Sequence, residues 1–207
     1  MTKEKVIAQA LLQTGAVKLN VASPFTFVSG IKSPIYCDNR QMIAYPNERA
    51  LFVKEFIDRL ASKSYDVISG TATAGIPWAS FIAWELGKPM SYIRGEKKEH
   101  GAGKQIEGAD LNGKKVIIIE DLISTGGSSI KAVEAAYAAG ATEVEVVAIF
   151  SYEFEKAYTN FAAKNIKWES LSNFSALIEL VRENKYLSEE DADIASKWNK
   201  SPSTWGV

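Results

Sequence analysis

Apolar residues recur along this chain with two different periods, and the change from one to the other organises it. Between Lys3 and Gln13 they fall at Val6, Ile7, Ala10 and Leu11, the spacing of an amphipathic helix, and Gly15 ends the run. Two short β-type runs within Phe25–Cys37 flank Ser29-Gly30 and Ser33-Pro34, which predicts a hairpin-like excursion. Pro46-Asn47 opens a second helix with Leu51, Phe52, Phe56, Ile57 and Leu60 on one face. After Ser64 the pattern becomes strand, loop and helix in repetition. The predicted strands are Tyr65–Ser69, Pro89–Ile93, Lys115–Ile119 and Val144–Phe150. The predicted helices are Ile76–Leu86, closed by Gly87, and Ser128–Ala139, stopped by Gly140. Arg94–Gly113 reads as a polar, Gly-rich connection. Beyond Glu153 the pattern predicts helices over Phe154–Ala163 and Ala176–Glu183, with Ile166–Glu169 as an edge strand.

Strands alternating with helices predict βαβ units and an α/β fold: a central, mostly parallel sheet flanked by helices, preceded by a small N-terminal lobe. No repeat, linker or low-complexity tract divides the chain, so residues 1–207 are expected to form a single domain. Its lobe spans about residues 1–40 with C-terminal additions, and its core about residues 45–170.

Composition narrows the function. The net charge of −1 gives no general attraction to nucleic acid or an anionic membrane, so any polyanion must be caught by a local group of cations. Cys37 is the sole cysteine, which rules out an internal disulfide and a thiolate metal site and favours a reducing compartment. The longest apolar runs, Val116–Ile119 and Val146–Phe150, fall far short of the ~20 residues that span a bilayer. The N-terminus lacks the long apolar region of a secretory signal. A cytoplasmic protein is expected, without a nucleic-acid or membrane partner.

The chemistry concentrates in Val116-Ile117-Ile118-Ile119-Glu120-Asp121-Leu122-Ile123-Ser124-Thr125-Gly126-Gly127-Ser128-Ser129. A buried strand delivers two carboxylates, then a Gly/Ser/Thr loop, then a helix. In parallel α/β sheets ligands sit beyond the carboxyl ends of the strands, where this loop falls. Gly126 and Gly127 allow close approach of an anion, Thr125, Ser128 and Ser129 add hydroxyl donors, and the helix amides point at the same spot. Carboxylates beside a phosphate would repel it unless they face something else, and sugar hydroxyls are the natural partners. The segment is neither a Walker A loop nor a Gly-x-Gly-x-x-Gly fingerprint. A second loop of small residues, Gly70-Thr71-Ala72-Thr73-Ala74-Gly75, also follows a strand and precedes a helix. A third segment, Arg94 to Lys104, gathers cations, glycines and the only histidine, and has the character of a lid.

The first segment resembles the phosphoribosyl diphosphate signature of the type I phosphoribosyltransferases: four apolar residues, two acids, two apolar residues, then Ser-Thr-Gly-Gly-Ser. Gly-x-x-x-x-Gly-Ile-Pro at residues 70–77 resembles the diphosphate loop of the orotate enzymes in that family. Arg-x-x-x-Lys-x-His-Gly at Arg94, Lys98 and His100 is similar to their catalytic loop. Phe-Thr-Phe-x-Ser-Gly-x-Lys-Ser-Pro-Ile-Tyr at residues 25–36 resembles their N-terminal hood. These matches run from about residue 25 to residue 150 in the order of the family.

The resemblance implies the type I phosphoribosyltransferase fold and Mg²⁺-dependent transfer of ribose 5-phosphate from phosphoribosyl diphosphate to orotate, the step that yields orotidine 5′-phosphate and diphosphate in de novo pyrimidine (UMP) biosynthesis. It implies that Glu120 and Asp121 hold the ribose hydroxyls, and that Leu122, Ile123, Ser124, Thr125, Gly126, Gly127 and Ser128 surround the 5′-phosphate. Thr71, Ala72, Thr73 and Ala74 would line the diphosphate loop. Arg94, Lys98 and His100 would bind diphosphate, with Lys98 or His100 protonating it as it leaves. With Asp121 these three are the expected catalytic residues. Orotate would lie near Ser124, between Phe27 and Tyr36. Mg²⁺ would be held mainly by substrate and water, and the lid would be shared across a homodimer. The chain departs from some relatives at Ala74, Gly95 and Val28, where they carry lysine. A purine phosphoribosyltransferase and a non-catalytic phosphoribosyl-diphosphate sensor are the rival readings. The hood segment speaks against the first, and the near-neutral charge with retained lid cations against the second.

Overall fold

The computed structural model describes residues 1–27, 30–95 and 105–205. The N-terminal lobe opens with α1 (Lys3–Gln13), whose first turn is capped by the Thr2 hydroxyl. Strand β1 (Val17–Leu19) pairs antiparallel with β4 (Ile35–Cys37), and between them β2 (Phe25–Thr26) pairs antiparallel with β3 (Lys32–Ser33). The expected hairpin is therefore present. The pairing of β4 back to Val17–Leu19 is not announced by the sequence, because a three-residue run carries too little pattern to mark a strand. A 3₁₀ helix, Asn39–Ala44, leads into α2 (Pro46–Leu60), with Pro46 in the first turn where no amide is needed.

The central sheet is built from β5 (Val67–Thr71), β6 (Met90–Ile93), β7 (Ile106–Gly108), β8 (Lys115–Ile123), β9 (Glu143–Ser151) and β10 (Lys167–Asn173), in the order β10-β9-β8-β5-β6-β7. All neighbours are parallel except β6 and β7. The crossover helices are α3 (Gly75–Leu86), α4 (Gly127–Ala138) and α5 (Glu155–Ala163), and α6 (Phe174–Glu183) and α7 (Glu189–Lys200) close the chain. Several elements depart from expectation. Strand β5 lies two residues further along than Tyr65–Ser69, β8 extends through both acids to Ile123, β10 runs on from the expected Ile166–Glu169 to Asn173, and β7 forms within a stretch that reads as loop. Its three residues, Ile106-Glu107-Gly108, have no alternation of their own, and pairing with β6 makes them a strand. Helix α7 is a further addition, since its buried face is only Ala192, Ala195 and Trp198 among many charges.

Continuous apolar strands are expected where helices cover both faces of a parallel sheet, and the pleat splits them between two cores. Ile117, Ile119 and Val147 face a cluster with α1, α2, α3, α6, α7 and the hood. Val116, Ile118, Val144, Val146 and Ala148 face a second cluster with α4 and α5. This alternation decides where the two acids of β8 go.

Candidate active site

Strand β8 carries Glu120 and Asp121 to the C-terminal edge of the sheet, and consecutive residues of a strand leave it on opposite sides. Glu120, 5% exposed, goes toward α4, where its Oε2 accepts from Ser129 Oγ at 3.1 Å and Ser128 Oγ at 3.3 Å. Asp121 is half-buried on the hood side, where the Arg40 guanidinium acts on it. Burial pushes the Glu120 carboxyl up to about 7, the negative charge of Asp121 adds to this, and the Thr71 and Ser129 hydroxyls oppose it. Asp121 is raised as well, by burial first, against hydrogen bonds from its surroundings and the charge of Arg40. Burial and the neighbouring charge make both carboxyls harder to ionise than exposed acids.

Beyond β8 the loop turns at Gly126, which has φ of 78° and stands at the α4 N-terminus without a side-chain cap. A Cβ there would lie 2.6 Å from the Phe161 ring, so both backbone conformation and packing demand glycine. Asn160 Nδ2 donates to the Thr125 carbonyl at 2.9 Å and steadies the loop from α5. Ser124, Gly127 and Ser128 are exposed and Leu122 and Thr125 half-buried, whereas Ile123 and Ser129 are buried. An open, amide-rich helix N-terminus flanked by hydroxyls is a site for a phosphate group.

The loop after β5 lies alongside, because β5 and β8 are paired up to Gly70 and Ile119. Thr71 Oγ1 donates to the Ile119 carbonyl at 2.9 Å, and Ala72 and Thr73, joined by a cis peptide bond, are exposed, with Ala74 half-buried before α3. Arg94 stands at the end of β6, where its amide donates to the Gln105 carbonyl at 2.9 Å and Gln105 Nε2 returns a bond to the Arg94 carbonyl at 3.0 Å. Lys98 and His100 lie outside the described residues. In the hood, the Phe27 ring leans on Tyr152 and Trp198, with centroids 6.4 and 6.5 Å away, while Tyr36 is 37% exposed beside Phe25.

The model of the phosphoribosyl transferase domain family matches residues 48–176, from α2 to the start of α6. Across its whole length the chain is 50% identical to the orotate phosphoribosyltransferase of Enterococcus faecalis, covering 100% of both proteins. The chain belongs to the orotate phosphoribosyltransferase family. Among solved structures, orotate phosphoribosyltransferase from Aeropyrum pernix superposes with a TM-score of 0.74 at 26% identity, covering 88% of this chain and 99% of that one. The UMP synthase of Leishmania donovani gives 0.77 at 28% identity over 94% of this chain, which spans only 42% of that longer protein. The hood precedes the residues matched by the general domain model, whereas the full-length orotate phosphoribosyltransferase relative includes it.

Several residues around the site of this orotate phosphoribosyltransferase family member are not singled out by sequence. Asn39 is fully buried on the 3₁₀ helix, and its Nδ2 donates to the Asp121 carbonyl at 2.6 Å. Asn160 and Phe161 hold the loop before α4 from α5, and Trp198 from α7 backs the hood, donating through Nε1 to the Lys32 carbonyl at 3.0 Å. The one signal in the sequence is the polar run Asp38-Asn39-Arg40 directly after a β-type segment.

The chemistry of the donor set fits Mg²⁺. Two carboxylates and no third acid, histidine or thiol assemble into a cage among the described residues, and hard oxygens completed by phosphates and water are what Mg²⁺ takes.

Proposed function

We propose that this chain transfers ribose 5-phosphate from phosphoribosyl diphosphate to orotate, giving orotidine 5′-phosphate and diphosphate in de novo pyrimidine (UMP) biosynthesis. One observation carries the reading: two carboxyls and an uncapped helix N-terminus share the C-terminal end of strand β8, so one sugar phosphate would meet both. In this reading the α4 amides, with Ser124, Thr125, Gly126, Gly127 and Ser128, take the 5′-phosphate, and Leu122 and Ile123 shape the wall beneath it. Glu120 and Asp121 accept from the ribose hydroxyls. As the C1–O bond of phosphoribosyl diphosphate breaks, positive charge develops on the sugar, and the neighbouring carboxylates stabilise it. The ring nitrogen of orotate attacks from the opposite face, with inversion.

Thr71, Ala72, Thr73 and Ala74 would hold the diphosphate from the β5 side. Arg94, Lys98 and His100 would close on it as it departs, and Lys98 or His100 would supply its proton. Ser124 would reach the base, with Phe27 and Tyr36 as the hood's aromatic surfaces. Glu120 and Asp121 are the carboxylates that would face Mg²⁺ from the chain's side, with the ion held mainly by substrate and water, and it would supply charge neutralisation for the leaving group.

We assign residues 1–207 to one domain in which hood and C-terminal helices are additions to the core. The joining of Ile35, Cys37 and Trp198 to the main apolar cluster supports this. The lid would serve a second copy of the chain. A face suited to a two-fold homodimer lies between α2 and α3, where Trp84 is 87% exposed beside Phe81, with Arg49, Lys54 and Glu85 offering both charge signs. Among the described residues no helix is long and apolar enough to cross a membrane.

The direct test supplies purified protein with Mg²⁺, phosphoribosyl diphosphate and orotate, uracil, hypoxanthine or adenine. Diphosphate release is expected with orotate alone; release with a purine but not orotate, or with no base at all, would end the reading. Mixing Arg94→Ala subunits with Asp121→Asn subunits tests the shared lid, since complementing halves should regain activity.

A further inference from the structure

We propose that Asn39 is a positioning residue for the transfer reaction, fixing the peptide after Asp121 so that this carboxylate stays aimed at the sugar while the hood covers the base. The inference rests on the role given to Asp121 above and extends it to a residue that touches no substrate.

The geometry is a relay between lobes. The paired part of β5 and β8 ends with Gly70 and Ile119, so beyond it the β8 carbonyls on the β5 side lose their strand partner, while the other edge stays paired with β9 as far as Ile123. Side chains take over: the Thr71 hydroxyl serves Ile119 at 2.9 Å, and the Asn39 amide serves Asp121 at 2.6 Å across 82 residues of sequence. The other end of the Asn39 amide is also engaged, its Oδ1 accepting from the Cys37 thiol at 3.0 Å. Burial and the nearby Asp121 and Asp38 push that thiol well up, so it remains a donor. A thiol donor on one side and a carbonyl acceptor on the other leave the amide a single orientation, with its NH₂ toward Asp121. Asn39 has no exposed surface, so it reaches no ligand itself. The neighbouring Arg40, joined to Asp38 at 2.6 Å, belongs to the same 3₁₀ helix and acts on Asp121 through its charge. The hood strand β4 is thus tied through one buried amide to the acid at the reacting sugar. An error of about 1 Å in placing a catalytic group costs on the order of a hundredfold in rate.

The test is a double-mutant cycle on kcat, normalised to folded protein by circular dichroism. Asn39→Ala is expected to lower kcat by roughly 10- to 100-fold, with a smaller change in the KM for orotate. In the Asp121→Asn background the same change should cost less than about threefold, because the group it positions is already disabled. Cys37→Ser, which keeps a donor to Oδ1, should retain near-normal kcat, while Cys37→Ala should move part of the way toward Asn39→Ala. Equal losses in both backgrounds would reduce Asn39 to a structural residue and overturn the proposal. Should Asn39→Ala fail to fold, the Cys37 pair carries the decision, and equal kcat values for the two would overturn it. If Asp121→Asn alone left kcat unchanged, the assignment of Asp121 would fall instead, a separate outcome.

Discussion

The loops after β5 and β8 are both built from small residues and lie side by side, yet their glycines answer different demands. In the β5 loop both are consumed by packing: a Cβ on Gly70 would lie 2.7 Å from the Gly75 carbonyl oxygen, and one on Gly75 would lie 2.3 Å from that of Ile119. Neither contact can relax without moving backbone. In the β8 loop Gly126 is required by its positive φ and by Phe161, while Gly127 has its nearest such contact at 3.9 Å and is free to admit a ligand. The Gly-x-x-x-x-Gly spacing therefore reports how closely the chain passes over β8, and the Gly-Gly step reports room for an anion. Glycines in two loops of small residues need not share a purpose.

Substitutions can break or sharpen that contrast. The largest effect is expected from Gly75→Ala, whose methyl group meets the Ile119 carbonyl; its cost should reach or exceed the upper end of the ~1–3 kcal/mol of overpacking. Thermal unfolding would check it, and a stable variant would show that the β5 loop can yield. Next comes Asp121→Asn, expected to lower kcat roughly a hundredfold by removing charge beside the developing cation. It should also move the acid limb of kcat/KM for phosphoribosyl diphosphate to lower pH, since Asp121 helps hold Glu120 up near about 7. The sign for stability is opposite to that for activity. Glu120 binds its proton more tightly folded than unfolded, so this group's contribution to the ligand-free protein is full below its ordinary value of 4.5 and is lost as pH rises toward about 7. Across the same window ionisation equips the site for the sugar, and activity rises. Melting temperatures and pH–rate profiles recorded together would expose any failure of that opposition.

Asn160→Ala removes the bond at 2.9 Å that steadies the Thr125 carbonyl, and a net ~1 kcal/mol corresponds to about a fivefold higher KM for phosphoribosyl diphosphate. The smallest effect is expected for Thr73→Ala. The residue is exposed, so stability should stay within about 0.5 kcal/mol and KM within about threefold if the β5 loop holds its anion through backbone amides. A larger rise in KM would make the two loops more alike than their glycines imply.

Elements of this fold differ in how openly their own residues declare them. The helices over Lys3–Gln13 and Pro46–Leu60 and the strands β8 and β9 carry their own periodicity or unbroken apolar runs, and pattern alone locates them, although it stops β8 short of the acids that the strand includes. Strands β1 and β7, three residues each, and α7 with its mostly charged surface carry almost none, and exist through partners distant in sequence. The loop between β8 and α4 is legible because every residue in it is local to one strand–loop–helix passage. Asn39 is not, because its purpose lies in a carbonyl far along the chain.

By itself the sequence determined the alternating α/β plan, the strand–loop–helix passage that carries the two acids, and the family to which they belong, since each depends on neighbours a few residues apart. Only the tertiary structure decided that Glu120 turns to α4 while Asp121 turns to the hood, that burial raises both carboxyls, and that Asn39 ties the two lobes together. Those features arise from pleat, packing and exclusion of water, and these exist only once distant segments have met.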